Sequence, residues 1–266
     1  MAAGQERVRL GGMAMQNGIL VHSFDHWAAA VRDGDGRVRL ASGRKPELPP
    51  SLLAVPGVRG LARMGEMMFL LPTVKRELPD ARLPMESGQA AAAIAGSVVL
   101  SRLIRRSRLK PLAAELLGAG ISLAPALASL RSSQLARYHG AEHKAIGAYE
   151  HGEEPADATK EHDRCGSHMV GPLIAATVAG NVLVSKLPAT RRSNAARLAV
   201  TLGAVAFATE TFGWMTRHRD TTLARALARP GFELQRVAAT REPSEEELEV
   251  AEAALNEVLR LEAEAA

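Results

Sequence analysis

Two histidines and a glutamate lie together in the segment H-G-A-E-H, which spans His139–His143. The surrounding residues predict a helix, and side chains four residues apart on a helix project from the same face. His139 and His143 can therefore bind one metal ion through their imidazoles, which are common zinc ligands. Glu142 borders that face, and H-x-x-E-H is the inverted zincin arrangement, in which the carboxylate activates a water molecule. Glu142 is thus the candidate catalytic residue.

The residues that follow the motif favour a metal site. The alternative is that His139 and His143 are ordinary polar residues at the end of an apolar helix. Five of the eight histidines lie between residues 139 and 168. His162 and Cys165 are three residues apart in a predicted loop, a spacing that metal ligands use. Glu150 lies two helical turns beyond the motif on the same face. All three are candidate ligands, and for Cys165 the alternative is a small buried residue.

A further carboxylate, Glu210, lies within the apolar segment A-F-A-T-E-T-F-G-W. An ionised carboxylate in an apolar helix is costly and usually has a partner. A metal ion is one such partner, which makes Glu210 a candidate ligand, and an ion pair with Arg217 or Arg219 is the alternative. Imidazole and carboxylate ligands suit zinc, manganese or iron. We expect a divalent metal ion as the cofactor, with zinc first among the three.

The composition favours a membrane over nucleic acid as the partner of this basic chain. The formal net charge is +4, and 47% of the residues are hydrophobic but only 3% aromatic. Proteins that bind single-stranded nucleic acid need aromatic side chains on which bases stack, and this chain has few. Its basic residues lie in short runs beside apolar segments, at 102–110 and 186–197, as membrane flanks do. We therefore expect membrane lipid and no nucleic acid as a partner.

Four apolar stretches predict a mainly α, polytopic helical membrane protein: Gly88–Ser101, Leu112–Leu130, Gly166–Ser185 and Leu198–Thr216. Gly166–Ser185 has twenty residues without a formal charge, which is long enough to span a bilayer. Buried helices of a soluble bundle are the alternative. The first residues lack the apolar core of a secretory signal, which predicts a cytoplasmic N-terminus. Together with the apolar stretches, this predicts a multi-pass protein of the cell membrane. Four simple spans would conflict with the positive-inside rule, so the number and orientation of spans stay open.

We divide the chain into three parts: a small α+β unit at 1–80, an apolar helical body at 81–220 that carries the metal-site segment 135–168, and a tail at 221–266. In the first, a glycine turn joins predicted strands at Trp27–Arg32 and Arg37–Leu40, and a later helix is expected to end before Pro72. In the tail, Ser244 and the glutamate three residues later form a capping box that begins an amphipathic helix.

With these residues the chain resembles the YqhQ-like family, a bacterial family of unknown function described as predicted metal-dependent membrane enzymes. The most specific part is Y-H-G-A-E-H-K with the following A-Y-E, at Tyr138–Lys144 and Ala148–Glu150. The family's H-x-R-C-G, P-G-x-x-x-Q-R and R-E-P elements match His162–Gly166, Pro230–Arg236 and Arg241–Pro243. The resemblance implies several membrane helices and a metal site that uses His139, Glu142 and His143.

The chain departs from the family pattern at several positions, which makes it a divergent member. Met13, Asn17 and His22 stand where the family has Gln, Glu and Arg. Thr209 replaces a Tyr beside Glu210, and Ala239 replaces a Thr. The His/Glu motif itself is intact.

Two functions follow from these features. The first is a metal-dependent membrane hydrolase, for example a peptidase, in which Glu142 activates water. The second is a non-catalytic membrane protein with a structural metal site, or a sensor or transporter of divalent cations. A structural zinc site is closed by four protein ligands, whereas a catalytic site keeps one position for water. The number of protein ligands around the ion therefore separates the two.

Overall fold

The computed structural model describes residues 7–86, 88–107, 109–122, 124–125, 128, 133–188 and 193–266. Four strands form one antiparallel sheet in sequential order: β1 (Gly11–Met15), β2 (Gly18–His22), β3 (His26–Arg32) and β4 (Val38–Arg44). The α-helices of the described part are α1 (Pro50–Ala54), α2 (Val58–Glu77), α3 (Gly88–Arg106), α4 (Pro111–Ser122), α5 (Ser133–His151), α6 (Val170–Ser185), α7 (Asn194–Arg217), α8 (Thr222–Leu234) and α9 (Glu245–Ala265). Several residues between 123 and 132, within the predicted stretch Leu112–Leu130, lie outside the described residues, as do the basic residues of 189–192.

The hairpin β3–β4 confirms the strand pair expected around a glycine turn. Asp33 caps the turn, since its Oδ1 accepts the backbone N–H groups of Asp35 and Arg37 at 3.0 and 2.9 Å. Gly36 has φ +80°, a conformation that costs glycine little because it has no Cβ. Strands β1 and β2, which the sequence did not delimit, extend the sheet on the other side of β3.

Helices cover both faces of the sheet. Successive side chains of a strand point to opposite faces, and in β2 and β3 the residues on both faces are apolar, so both faces need to be buried. One face packs against α5 and α9, and the other against α2 and the segment after it. The first core contains Ala14, Ile19, Val21, Ala28, Ala30, Tyr138, Ala141, Ile146, Val250, Ala254 and Val258. The second contains Met15, Leu20, Trp27, Ala29, Val31, Leu70, Val74 and Leu78. The sheet thus fixes α5, the helix that carries the histidine motif, against the C-terminal helix.

Helix α2 runs through Pro72 to Glu77, so the expectation that it ends before the proline is wrong. A proline inside a helix costs about 3 kcal/mol through one lost hydrogen bond and a steric clash. Leu70, Val74 and Leu78 lie on the sheet side and are buried. Burying a large aliphatic side chain stabilises by about 1.5–3 kcal/mol, so the burial of Val74 and Leu78, which follow the proline, offsets its cost.

The apolar helices α3, α4, α6 and α7 form a body beside the sheet and bury little of their surface. Two segments, Gly166–Ser185 and Asn194–Arg217, are long and apolar enough to cross a membrane. Only 22% and 17% of their apolar windows are buried inside the protein. Core helices of a soluble bundle would be mostly buried, so the low values favour another apolar environment. The exposed large side chains of the body include Val99, Leu103, Leu112, Leu116, Leu117, Leu183, Leu198, Leu202 and Phe207.

The capping box at the start of α9 is confirmed. The Ser244 side chain accepts a backbone N–H of the first turn, and the Glu247 carboxylate accepts the Ser244 N–H at 2.7 Å. The apolar side of the amphipathic helix is buried on the sheet, whereas many of its glutamates remain exposed. The tail is therefore part of the same core as the N-terminal strands.

Candidate metal centre

Helix α5 holds the imidazoles of His139 and His143 side by side, with ring centroids 4.4 Å apart. The Nδ1 of His139 donates to the Ala239 carbonyl at 2.8 Å, and the Nδ1 of His143 donates to the Lys160 carbonyl at 2.7 Å. A carbonyl only accepts, so each ring carries its proton on Nδ1 and has a lone pair on Nε2. Backbone carbonyls orient metal-binding histidines in this way in known sites.

Cys165 joins the two histidines from a loop that packs against α5. Its Sγ lies 3.5 Å from the Nε2 of His139, and one ligand atom from each of the three residues falls within 4.8 Å of the others. Burial lowers the pKa of His143 well below its usual value, assisted by the neighbouring His139, which keeps the ring neutral. Burial raises the pKa of the Cys165 thiol to about 11, so a nearby cation is needed to form the thiolate at neutral pH.

The Glu142 carboxylate lies beside this group and is buried. Its Oε2 is 4.0 Å from the Nε2 of His139. Burial raises the pKa of Glu142, while His139 and His162 act in the opposite direction. A carboxylate with a raised pKa is better suited to take up a proton near neutral pH than an exposed one.

Gly12 provides the space that Glu142 occupies, which the histidine motif by itself does not indicate. A Cβ on Gly12 would stand 2.6 Å from the Glu142 Oε1 and 2.8 Å from its Cδ. The neighbouring Gly11 pairs with His22 in the sheet, and a Cβ there would lie 2.9 Å from the ring Nε2. The pair of glycines opening the first strand was the available signal, because glycine in a strand often marks a close approach.

Gln235 fixes the loop that carries Cys165. This glutamine is fully buried; its Oε1 accepts the His162 backbone N–H at 2.8 Å and its Nε2 donates to the Ser167 Oγ at 2.9 Å. Gly231, one turn earlier, approaches the same loop so closely that a Cβ would lie 2.5 Å from the His168 Cα. The P-G-x-x-x-Q-R element therefore positions the cysteine.

Glu150 and His162 form a polar cluster next to the three candidate ligands and lie outside the group whose ligand atoms fall within 4.8 Å of one another. The His162 Nε2 lies 3.2 Å from the Glu150 Oε2, and the other Glu150 oxygen is in contact with Arg164. The His162 Nδ1 accepts the backbone N–H of Arg164 at 3.3 Å. Both ring nitrogens of His162 thus have partners, and the Glu150 carboxylate is neutralised by a guanidinium.

Glu210 lies elsewhere, so its expected place at the metal is not what the structure shows. Its carboxylate accepts the backbone N–H of Gly57 and the Nε–H of Arg59, both at 2.8 Å. Its ion pair is with Arg59 and not with Arg217 or Arg219, the predicted alternatives. The Arg59 guanidinium and the N-terminus of α2 supply the positive charge that a carboxylate in an apolar helix needs.

A cavity of about 620 Å³ opens onto the cluster. His139, Glu142, His143 and Cys165 all line it. Its remaining wall is largely apolar and includes Leu10, Met13, Leu135, Ile146, Val170 and Phe212. Binding sites for small molecules have this character, with a few polar groups converging in an apolar cleft.

Comparison with known proteins adds no activity to this geometry. The family described as protein of unknown function (DUF1385) matches residues 119–261. The uncharacterized protein YqhQ of Bacillus subtilis (strain 168) is 36% identical over 134 residues, which are 48% of this chain and 41% of that protein. The chain thus spans about two-fifths of the length of this relative. No solved structure matches. The family match includes the three candidate ligands, Glu142 and Gln235 but not the strands that carry Gly12.

Proposed function

Because the chain belongs to the DUF1385 family, whose function is unknown, we propose from its own site that it is a metal-dependent membrane hydrolase. One observation carries the proposal: two imidazoles and a thiol converge within 4.8 Å beside a buried carboxylate, at the wall of an apolar cavity. His139, His143 and Cys165 would hold the ion, and Glu142 would serve as the general base.

The three side chains fit a divalent ion, and zinc fits best. Zinc accepts imidazole nitrogen and thiolate sulfur together, whereas manganese prefers oxygen ligands. Catalytic zinc sites have three protein ligands and one position for water, and structural sites have four. Three protein ligands are grouped in the described part of the chain. This number supports the catalytic alternative over the structural one.

The residues can divide the work of hydrolysis as follows. When bound, the ion supplies Lewis acidity and lowers the pKa of a water molecule toward neutrality. Glu142 would accept a proton from the attacking water while the water oxygen forms a bond to the substrate carbonyl carbon. Glu142 then donates the proton to the leaving nitrogen or oxygen as the C–N or C–O bond breaks. Its burial favours this exchange, because burial raises the pKa of the carboxyl.

An exchangeable ligand position is the direct test of a catalytic site. Purified wild-type protein loaded with one equivalent of Co²⁺ is expected to show a four-coordinate absorption spectrum that includes a thiolate band. Adding a hydroxamate should shift the spectrum, since the hydroxamate takes the place of water. A spectrum that does not respond at any hydroxamate concentration would show a closed site and favour the structural or cation-sensing alternative.

The membrane part of the proposal is supported by the poorly buried apolar helices. The segment Gly166–Ser185 extends about 30 Å at 1.5 Å per residue, the thickness of the hydrocarbon core. Its neighbour α7 carries exposed Leu198, Leu202 and Phe207. The protein is expected to sediment with membranes and to stay there after high-salt and alkaline carbonate washes. Recovery in the carbonate supernatant would contradict membrane insertion.

A further inference from the structure

A second cavity, of about 430 Å³, adjoins the metal cavity. Arg164 and Phe212 line both, so the two cavities share part of one wall. The second cavity is otherwise lined by the end of α7, the following turn and one side of α8. The two cavities therefore lie side by side across these two side chains.

The second cavity is lined by arginines whose charges are incompletely neutralised. Arg219, Arg225 and Arg229 line it together with the acidic residues Asp163 and Asp220. Arg219 reaches Asp163 only at 4.0 Å. Arg225 and Arg229 are exposed, and among the described residues neither has a side-chain hydrogen bond or an ion pair. They are four residues apart on α8, where like charges repel each other and a bound anion would relieve the repulsion.

The rest of this cavity is largely apolar, apart from His168 and Thr216, and lies at the ends of the two long apolar helices. Phe212, Met215 and Phe232 contribute large apolar side chains to its wall. Helices α6 and α7 are adjacent and joined by a short connection, so the start of α6 and the end of α7 lie at the same end of the pair. In a bilayer this end stands at the level of the lipid headgroups, where arginine attracts anionic lipid.

We infer that the second cavity binds the acidic head of an anionic amphiphile, a molecule that carries a phosphate or carboxylate on an apolar chain. Arg225 and Arg229 contact the acidic group, and Phe212, Met215 and Phe232 contact the chain. For the step from ligand to substrate, the inference rests on the proposed function: the amphiphile then places an ester or amide bond beside Glu142. Water adds across that bond, releasing an acid and an alcohol or amine.

Lipid binding to the detergent-purified full-length protein tests the inference by native mass spectrometry. Phosphatidylglycerol and phosphatidylcholine with the same acyl chains serve as the anionic and zwitterionic probes. The wild type is expected to prefer phosphatidylglycerol, and the double variant Arg225→Gln/Arg229→Gln should lose about 10-fold of that preference. The matched control is Arg37→Gln/Arg44→Gln, two exposed arginines of the β3–β4 hairpin away from the apolar helices, which should retain it.

Three results would overturn the inference: no lipid preference in the wild type, an unchanged preference in the Arg225/Arg229 variant, or equal losses in the variant and its control. A further measurement adds inorganic phosphate to the lipid-bound protein. Displacement of phosphatidylglycerol by an equal concentration of phosphate would show that the site binds the acidic group alone, which would contradict binding of the apolar chain. Metal content is measured on the same samples. A wild type that prefers phosphatidylglycerol but binds no metal would refute the proposed hydrolase and leave the lipid site standing.

Discussion

The His143→Ala variant is expected to bind metal more than about 100 times more weakly than the wild type. The change removes one of the three proposed ligands, and losing even an outer partner of a ligand commonly costs 10–100-fold in affinity. The two remaining side chains, His139 and Cys165, cannot hold a divalent ion tightly. Elemental analysis after gel filtration, followed by titration against a chelator, measures the loss.

His151→Ala is the matched control on the same helix. Its side chain is 66% exposed, and its Nδ1 donates to the Gly147 carbonyl of its own helix at 2.9 Å and lies 3.9 Å from the exposed Glu153 carboxylate. We expect this variant to retain the metal of the wild type and its thermal stability. Full metal content in both variants would refute the site, and equal losses in both would point to general damage to α5.

The histidine motif could be predicted from the sequence because its geometry is local. A helix fixes the relative positions of His139, Glu142 and His143 through its own period, whatever packs around it. The capping box and the β3–β4 hairpin were predictable for the same reason, since each is contained in a few consecutive residues. These features need no knowledge of distant parts of the chain.

The partners of the other charged residues depend on long-range packing, and spacing alone cannot give them. Glu210 finds Arg59, which is 151 residues away in the chain. Glu150 is held by Arg164, in a loop that Gln235 fixes through His162, 73 residues before it. The sequence showed that Glu210 needed a partner but offered several, and it placed Glu150 only as a candidate metal ligand. The close approach of Gly12 to Glu142 was hidden similarly, since it depends on how β1 lies against α5.

Packing also decided where the helix α2 ends. The proline rule is local and predicted an end before Pro72, but the burial of Leu70, Val74 and Leu78 depends on the sheet. Strands β1 and β2 have five residues each, and β1 begins with two glycines, so their hydrophobic pattern alone predicts a strand only weakly. Local rules thus predicted the elements and the motif, and tertiary contacts decided which charges and strands meet.

The Glu142→Gln variant is expected to retain its metal and to lose hydrolysis by about 10²–10⁴-fold, the usual contribution of a general base. The amide has nearly the shape of the carboxylate, so it fits against Gly12 and leaves the three ligands in place. It cannot accept a proton from water. The rate is measured in detergent micelles with a chromogenic ester that carries a free carboxylate, and metal content is measured on the same preparation.

Glu153→Gln, the same substitution at an exposed carboxylate just beyond α5, is the control and should match the wild type in both measurements. The combination of the two readouts identifies the role of Glu142. Loss of metal together with activity would make the carboxylate a ligand, which completes a four-ligand site and favours the structural alternative. Full activity with full metal content would remove Glu142 from the chemistry. Loss of activity alone is the result that a general base requires, because only proton transfer, and not coordination, depends on the charge of this side chain.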